Sequence, residues 1–374
     1  MFDNHGLQIV LALLVAFLMS FSATPVVMLY ANKIGAIDVP KDNRRVHKRP
    51  IPRIGGLAIY YGFIIAVLCF AVIDQQLMGI LIGSVIIVTI GVIDDIKGLP
   101  ALMKLIFQIA AACVVVFSGT QIEFLGIPGF GGEGGLIPLG EWMSVGATII
   151  WIVAVTNAVN LIDGLDGLAV GVSSIASMSL LVLTLFVVGE PQIAIITAAV
   201  AGAGFGFLPY NFNPAKIFMG DTGATFLGFI LASVSVMGLF KSAAFVTFAV
   251  PILILGLPLF DTGFAILRRI LKGKSPMTPD RGHLHHRLLD MGLTQRQTVA
   301  VLYTMAGVLS LSAVVMHIRG DISGVIRGGF LVLAVVVIML LGARVRIEKA
   351  APRLARRAAR EEAAEAKKEN SDES

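Results

Sequence analysis

Apolar runs long enough to cross a bilayer recur along this 374-residue chain. Lipid offers no hydrogen-bond partners, so a chain built this way must satisfy its backbone inside helices. The runs fall at about 8–31, 54–73, 77–93, 101–118, 142–160, 167–188, 192–209, 222–240, 243–267, 298–317 and 324–343, eleven in all. With 56% of residues hydrophobic and 14% charged, the chain carries more apolar surface than a soluble core of this length could hide. We expect an all-α polytopic integral membrane protein with about eleven transmembrane helices. Residues 1–343 would form one membrane domain, and 344–374 a charged tail, helical and then disordered.

The first run lacks a charged leading segment and a small-residue cleavage site, so it reads as a retained helix. Cys69 and Cys113 lie inside apolar runs and read as buried hydrophobes, not a disulfide framework. Orientation follows from Lys and Arg in the loops. Segments 32–53 and 268–297 are rich in both, whereas 119–141 has neither. The basic segments are therefore expected in the cytoplasm, the amino terminus outside and the carboxyl terminus inside. GFGGEGG at 129–135 lacks the Lys of a phosphate-binding loop and reads as the turn of a short external hairpin between IEFLGIP and LIPLG.

Acidic residues next to spans are costly unless paired, hydrated or metal-bound. Here they recur as Asp94 with Asp95, Asp163 with Asp166, and Asp221. The topology puts all three motifs on the cytoplasmic face, which points to one shared cation site. Asn160, Asp163 and Asp166 recur every third residue and would share one sector of a continuous helix, with Gly164 and Gly167 permitting close approach or unwinding. The same residues also suit a capping and turn cluster. Asp221 reads equally as a helix cap or as a hard oxygen ligand for Mg²⁺.

PDRGHLHHRL brings Arg281, His283, His285, His286 and Arg287 together. Without cysteine, and with arginines that repel cations, the group suits an anion better than zinc. A basic loop on lipid headgroups is the plainer alternative. Asp261, after Pro258, could support the site or cap a broken helix. Acids at helix ends and cations on the same face are what metal-assisted phosphoryl transfer requires. A transporter would place its acids nearer mid-bilayer, on broken helices.

The ordered motifs DVPKDNRRVHKRPIPRIGG at 38–56, GVIDDIKGLPALMKLIFQ at 91–108, NAVNLIDGLDGLA at 157–169, NFNPAKIFMGDTG at 211–223 and HLHH at 283–286 carry a resemblance that covers about residues 8–343. Together they resemble the polyprenyl-phosphate N-acetylhexosamine-1-phosphate transferases, and most closely the WecA/TagO branch. That resemblance implies a cytoplasmic active-site cleft in which Asp94 and Asp95 are the catalytic pair. Asp221, with Asp95, would hold Mg²⁺, for which Mn²⁺ could substitute. It also implies that Asn160, Asp163, Asp166, Asn211, Lys104, His283, His285, His286, Arg281 and Arg53 contact the substrates, and that Phe218 lies near the uracil. Lys97 stands about where many members of this branch carry a further acid, and Leu284 interrupts the histidine run typical of the phospho-MurNAc-pentapeptide branch.

The implied reaction joins UDP-N-acetylglucosamine to undecaprenyl or decaprenyl phosphate, releasing UMP, in the bacterial inner membrane. It would be the first membrane step of a cell-envelope glycan. Spacing leaves open whether Asp94 acts as a base or forms a phosphoryl-enzyme. The implied partners are the two substrates and the bilayer, with no nucleic acid; a homodimer is left open. The alternatives are another UDP-N-acetylhexosamine-1-phosphate transferase, an ion-coupled transporter of an anionic solute, and a lipid-binding scaffold without turnover.

Overall fold

The computed structural model describes residues 4–39, 49–126, 136–238, 249–273 and 282–319. The apolar runs become helices with near-matching bounds: α1 (Asn4–Ile34), α2 (Gly56–Phe70), α3 (Gln75–Lys97), α4 (Ala101–Phe117), α5 (Glu141–Ile162), α6 (Leu168–Leu183), α7 (Pro191–Asn211) and α8 (Gly220–Gly238). Of the run at 243–267, the residues from 249 onward are described, and they form a helix interrupted within the run. It breaks at Leu255 into α9 (Ala249–Ile254) and α10 (Gly256–Leu271). A short α11 (Leu284–Asp290) leads into α12 (Gln295–Arg319). Among the described residues, seven helices are long and apolar enough to cross a membrane, and α2 and α4 are shorter apolar helices. The expected run at 324–343 and the tail at 344–374 lie outside the described residues.

Two antiparallel ladders interrupt the helices. β1 (Ile37–Asp38) pairs with β2 (Ile51–Pro52). β3 (Phe124–Gly126) pairs with β4 (Leu136–Pro138), which are the flanks of the expected hairpin; its glycine-rich tip lies outside the described residues.

The bundle is held by close packing and by polar groups satisfied within it, because lipid rewards helix association less than water does. The buried core runs from Phe63 on α2 through Ile80 on α3 and Val155 on α5 to Phe226 and Phe229 on α8. Thr24, Thr156, Ser174 and Ser233 donate to carbonyls one turn back, so their hydroxyls cost little in an apolar interior. Trp151 on α5 donates to the Ser235 hydroxyl on α8 at 3.0 Å.

Helix α8 is the hub, buried along nearly its whole length. Its start can reach α2 only because Gly56 and Gly223 meet backbone to backbone; a Cβ on Gly56 would lie 2.1 Å from the Gly223 nitrogen. The strand-like segment before α8 runs beside the end of β2. Phe218 N donates to Pro52 O, Gly55 N to Phe218 O and Gly56 N to Met219 O. These contacts bring the entrance of α8 beside the exits of α1 and α3.

Candidate active site

Helix α3 ends at Lys97, and Gly98 (φ +71°) reverses the chain so that Pro100 can open α4. The first turn of α4 then brings Lys104 back over Asp94. Lys104 Nζ lies 3.0 Å from Asp94 Oδ2 and 2.8 Å from Asp221 Oδ2, bridging acids from α3 and α8. The Asp94 and Asp221 carboxyls also come within hydrogen-bonding reach of each other, and Asn160 reaches Asp221 from the end of α5. Two carboxyls this close must share a proton or a cation. The Lys104 ammonium marks where that positive charge is accepted.

Asp95 faces the other way. Its Oδ1 accepts from Arg53 Nε at 3.1 Å and from the Asp221 amide at 3.0 Å. Its Oδ2 accepts from the Thr222 amide at 3.0 Å and the Thr222 hydroxyl at 2.6 Å. Asp95 thus caps α8 from another helix, satisfying amide groups that a helix start leaves unpaired. Its side chain is 0% exposed, against 22% for Asp221, so Asp221 is the better placed to meet a ligand.

An open cleft of about 420 Å³ lies over this group, lined by Arg53, Asp94, Asp95, Lys97, Lys104 and Asp221 and walled by Gly35, Ile37, Asp38 and Val39. Asp38 and Lys97 were not among the expected site residues; the only signal was that Asp38 opens the first motif and that Lys97 lies one turn beyond Asp94.

Asn160, Asp163 and Asp166 do not share one helical face, because α5 stops at Ile162 and Asp163 is already its cap. Asp163 lies near Asp221 and Asp95. Burial, reinforced by the charges of Asp221, Asp95 and Asp166, pushes its carboxyl up to about 8. Asp166 turns away, accepting from Asn213 Nδ2 at 2.9 Å and the Ala215 amide at 3.0 Å. Asn211 is also spent internally, between the Gly167 amide and the Ile217 carbonyl. Both secure loops by these bonds.

The histidine helix packs on the same turn. The His285 ring lies against Gly164, where a Cβ would come 2.5 Å from Nε2. His283 and His285 are stacked at 5.8 Å, and His285 and His286 at 4.2 Å. Burial, with His286 beside it, pushes the His285 imidazole down to about 4, so at neutral pH it is an uncharged donor and acceptor, not a cation. Arg281 lies outside the described residues.

Among the described residues, no three His, Cys, Asp or Glu side chains converge as a ready-made metal cage. Mg²⁺ needs none, since it keeps waters and takes one or two carboxylates together with phosphate oxygens. Asp94 and Asp221, with the Asn160 amide beside them, are hard oxygen donors of that kind.

A model for glycosyl transferase family 4 matches residues 77–239. The chain is 42% identical to the "Probable undecaprenyl-phosphate N-acetylglucosaminyl 1-phosphate transferase" of Bacillus subtilis (strain 168), over 84% of this chain and 87% of that protein. It is 35% identical to the "Decaprenyl-phosphate N-acetylglucosaminephosphotransferase" of Mycobacterium leprae (strain TN), over 82% and 83%. It is 30% identical to the "Undecaprenyl-phosphate alpha-N-acetylglucosaminyl 1-phosphate transferase" of Escherichia coli (strain K12), over 75% and 76%. With its motifs in family order and these similarities running along most of its length, the chain belongs to glycosyl transferase family 4, on the polyprenyl-phosphate N-acetylhexosamine-1-phosphate transferase branch.

Proposed function

We propose that this protein transfers N-acetylglucosamine-1-phosphate from UDP-N-acetylglucosamine to undecaprenyl or decaprenyl phosphate, releasing UMP and leaving polyprenyl-diphospho-N-acetylglucosamine in the membrane. One observation carries the reading: Lys104 bridges Asp94 and Asp221 at 3.0 and 2.8 Å at the floor of an open cleft that also holds Arg53 and Lys97. Acids for a metal and cations for phosphates thus meet where a helix bundle opens to water. The names of the relatives supply the substrates by analogy.

In this reading an oxygen of the lipid phosphate attacks the β-phosphorus of the donor. The bond from that phosphorus to the bridging oxygen breaks, UMP leaves with the bridging oxygen, and the sugar C1–O bond stays intact. Lys104 neutralises phosphate oxygens, and Asp94 accepts a proton when the acceptor phosphate arrives protonated. Asp221 and Asp94 would hold Mg²⁺, or Mn²⁺ in its place, and the ion would make UMP a better leaving group. Asp95, fully engaged with Arg53 and α8, positions Asp221 and touches no substrate.

The site faces the cytoplasm of a bacterial plasma membrane in this proposal, with the amino terminus outside and the carboxyl terminus inside. Lys33 ends α1, Lys97 ends α3, and Arg268 and Arg269 end α10, all at the end of the bundle that holds the acids.

The test is UMP release by purified protein given polyprenyl phosphate, Mg²⁺ and a panel of UDP-sugars. Release with UDP-N-acetylglucosamine is expected, lost on chelation and reduced about a hundredfold or more in Asp221→Asn and Lys104→Met. No release with any donor, from folded protein, would defeat the proposal and favour the transporter.

A further inference from the structure

Asp261 on α10 lies outside the cleft, and the proposed chemistry gives it no part. Both of its oxygens are nevertheless engaged with the histidine segment. Oδ2 lies 2.9 Å from His283 Nδ1, and Oδ1 accepts from the Leu284 amide at 2.7 Å. Side-chain exposure is 9% for Asp261 and 7% for His283, so water competes little for the pair. No side chain of its own segment caps the start of α11; the capping oxygen comes from another helix. Two turns along α10, Arg268 Nη1 donates to Gly282 O at 3.0 Å, gripping the same segment a second time.

On its far side the His283 ring stacks nearly parallel to His285, with 9° between the planes, and His285 fills the space above Gly164. Gly164 follows Asp163, one of the acids grouped with Asp221. A continuous line of contacts therefore runs from α10 through two imidazoles to the turn that carries Asp163, whose carboxyl feels the charges of Asp221 and Asp95. An ionised Asp261 can only accept, which fixes the hydrogen of His283 on Nδ1 and frees Nε2 to face its other neighbours.

We propose that Asp261 is a positioning residue for the transfer reaction: by fixing the ring and tautomer of His283, it sets the His283–His285–His286 group against the Asp163–Gly164 turn and so holds that group, as the donor-side face of the site, beside the acids of the cleft. The inference rests on the transferase reading given above. It predicts that loss of Asp261 weakens donor use and leaves the lipid acceptor site alone.

The experiment uses the full chain in lipid nanodiscs as wild type, Asp261→Asn, Asp261→Ala, His283→Gln and the Asp261→Asn/His283→Gln double variant. Hydrogen exchange across residues 284–290 should rise about tenfold in Asp261→Ala while α1 and α2 stay unchanged. KM for UDP-N-acetylglucosamine should rise about tenfold in Asp261→Asn, with KM for polyprenyl phosphate within about twofold of wild type. The double variant should be no worse than His283→Gln, because the two residues act as one unit. Unchanged exchange at 284–290, an unchanged donor KM, or fully multiplying effects in the double variant would each overturn the inference. Wild-type protein that releases no UMP overturns the transferase reading instead, and the exchange arm still decides whether Asp261 holds the helix.

Discussion

At the residue scale, the site rests on carboxyls held in unlike surroundings. Asp95 is saturated by four donor groups, Asp221 keeps a share of solvent, and Asp163 sits among like charges. The last of these makes a prediction about pH. Asp163 holds its proton up to about 8 in the folded protein, whereas the ordinary carboxyl value is 3.8. Between those two values the native state binds the proton that the unfolded state has released, so stability falls as pH rises through that window. Thermal unfolding of the protein in chelator should therefore show a midpoint that drops from about pH 4 to about pH 8, and Asp163→Asn should flatten the drop. A midpoint that rises with pH in both proteins would contradict the assignment.

Spacing alone does not assign the roles of these residues. Asn160, Asp163 and Asp166 look like one face of a helix, but a helix that ends at Ile162 sends the two aspartates in different directions. Nothing local distinguishes Asp94 from Asp95. Their division of labour appears only when Thr222, well over a hundred residues later, supplies the hydrogen bonds that occupy Asp95. The histidine triplet reads as cationic until burial at His285 removes the charge.

At the element scale, the entrance of α8 decides the geometry. Gly220 takes φ +69°, and a Cβ there would lie 1.9 Å from Arg53 O and 2.3 Å from Asp95 Oδ2. Both the backbone conformation and the space demand glycine. Gly220→Ala should destabilise the protein by about 2 kcal/mol or more and abolish turnover, read as lost monodisperse protein after detergent extraction and no UMP release. Near-normal yield and activity would show that the α8 entrance tolerates displacement.

Helices α1 to α8 were legible because each apolar run is bounded by turn residues or charge, as at Lys97–Gly98 and Gly189–Glu190. The run at 243–267 carries an interruption at Leu255 that the run of apolar residues does not announce. Hydropathy does not register the break; its local cause is Pro258, which has no N–H to give the Ile254 carbonyl one turn back.

At the scale of the whole molecule, a bundle of apolar helices brings Lys33, Lys97, Lys104, Arg268 and Arg269 to the end that holds Asp94 and Asp221, and that end is the proposed cytoplasmic face. Single cysteines placed at Glu190 and at Lys272, in a background lacking Cys69 and Cys113, should label from opposite sides of the membrane, with Glu190 reached from outside. Labelling of both from the same side would contradict the topology. In the proposed reaction phosphorus, and not the sugar alone, crosses to the lipid. The most direct measurement gives the protein UDP-N-acetylglucosamine labelled at the β-phosphorus, with polyprenyl phosphate and Mg²⁺, and follows the label. The label is expected to enter the lipid fraction together with the sugar while unlabelled UMP is released; label left in water-soluble UDP, with only the sugar in the lipid, would rule out phosphoryl transfer.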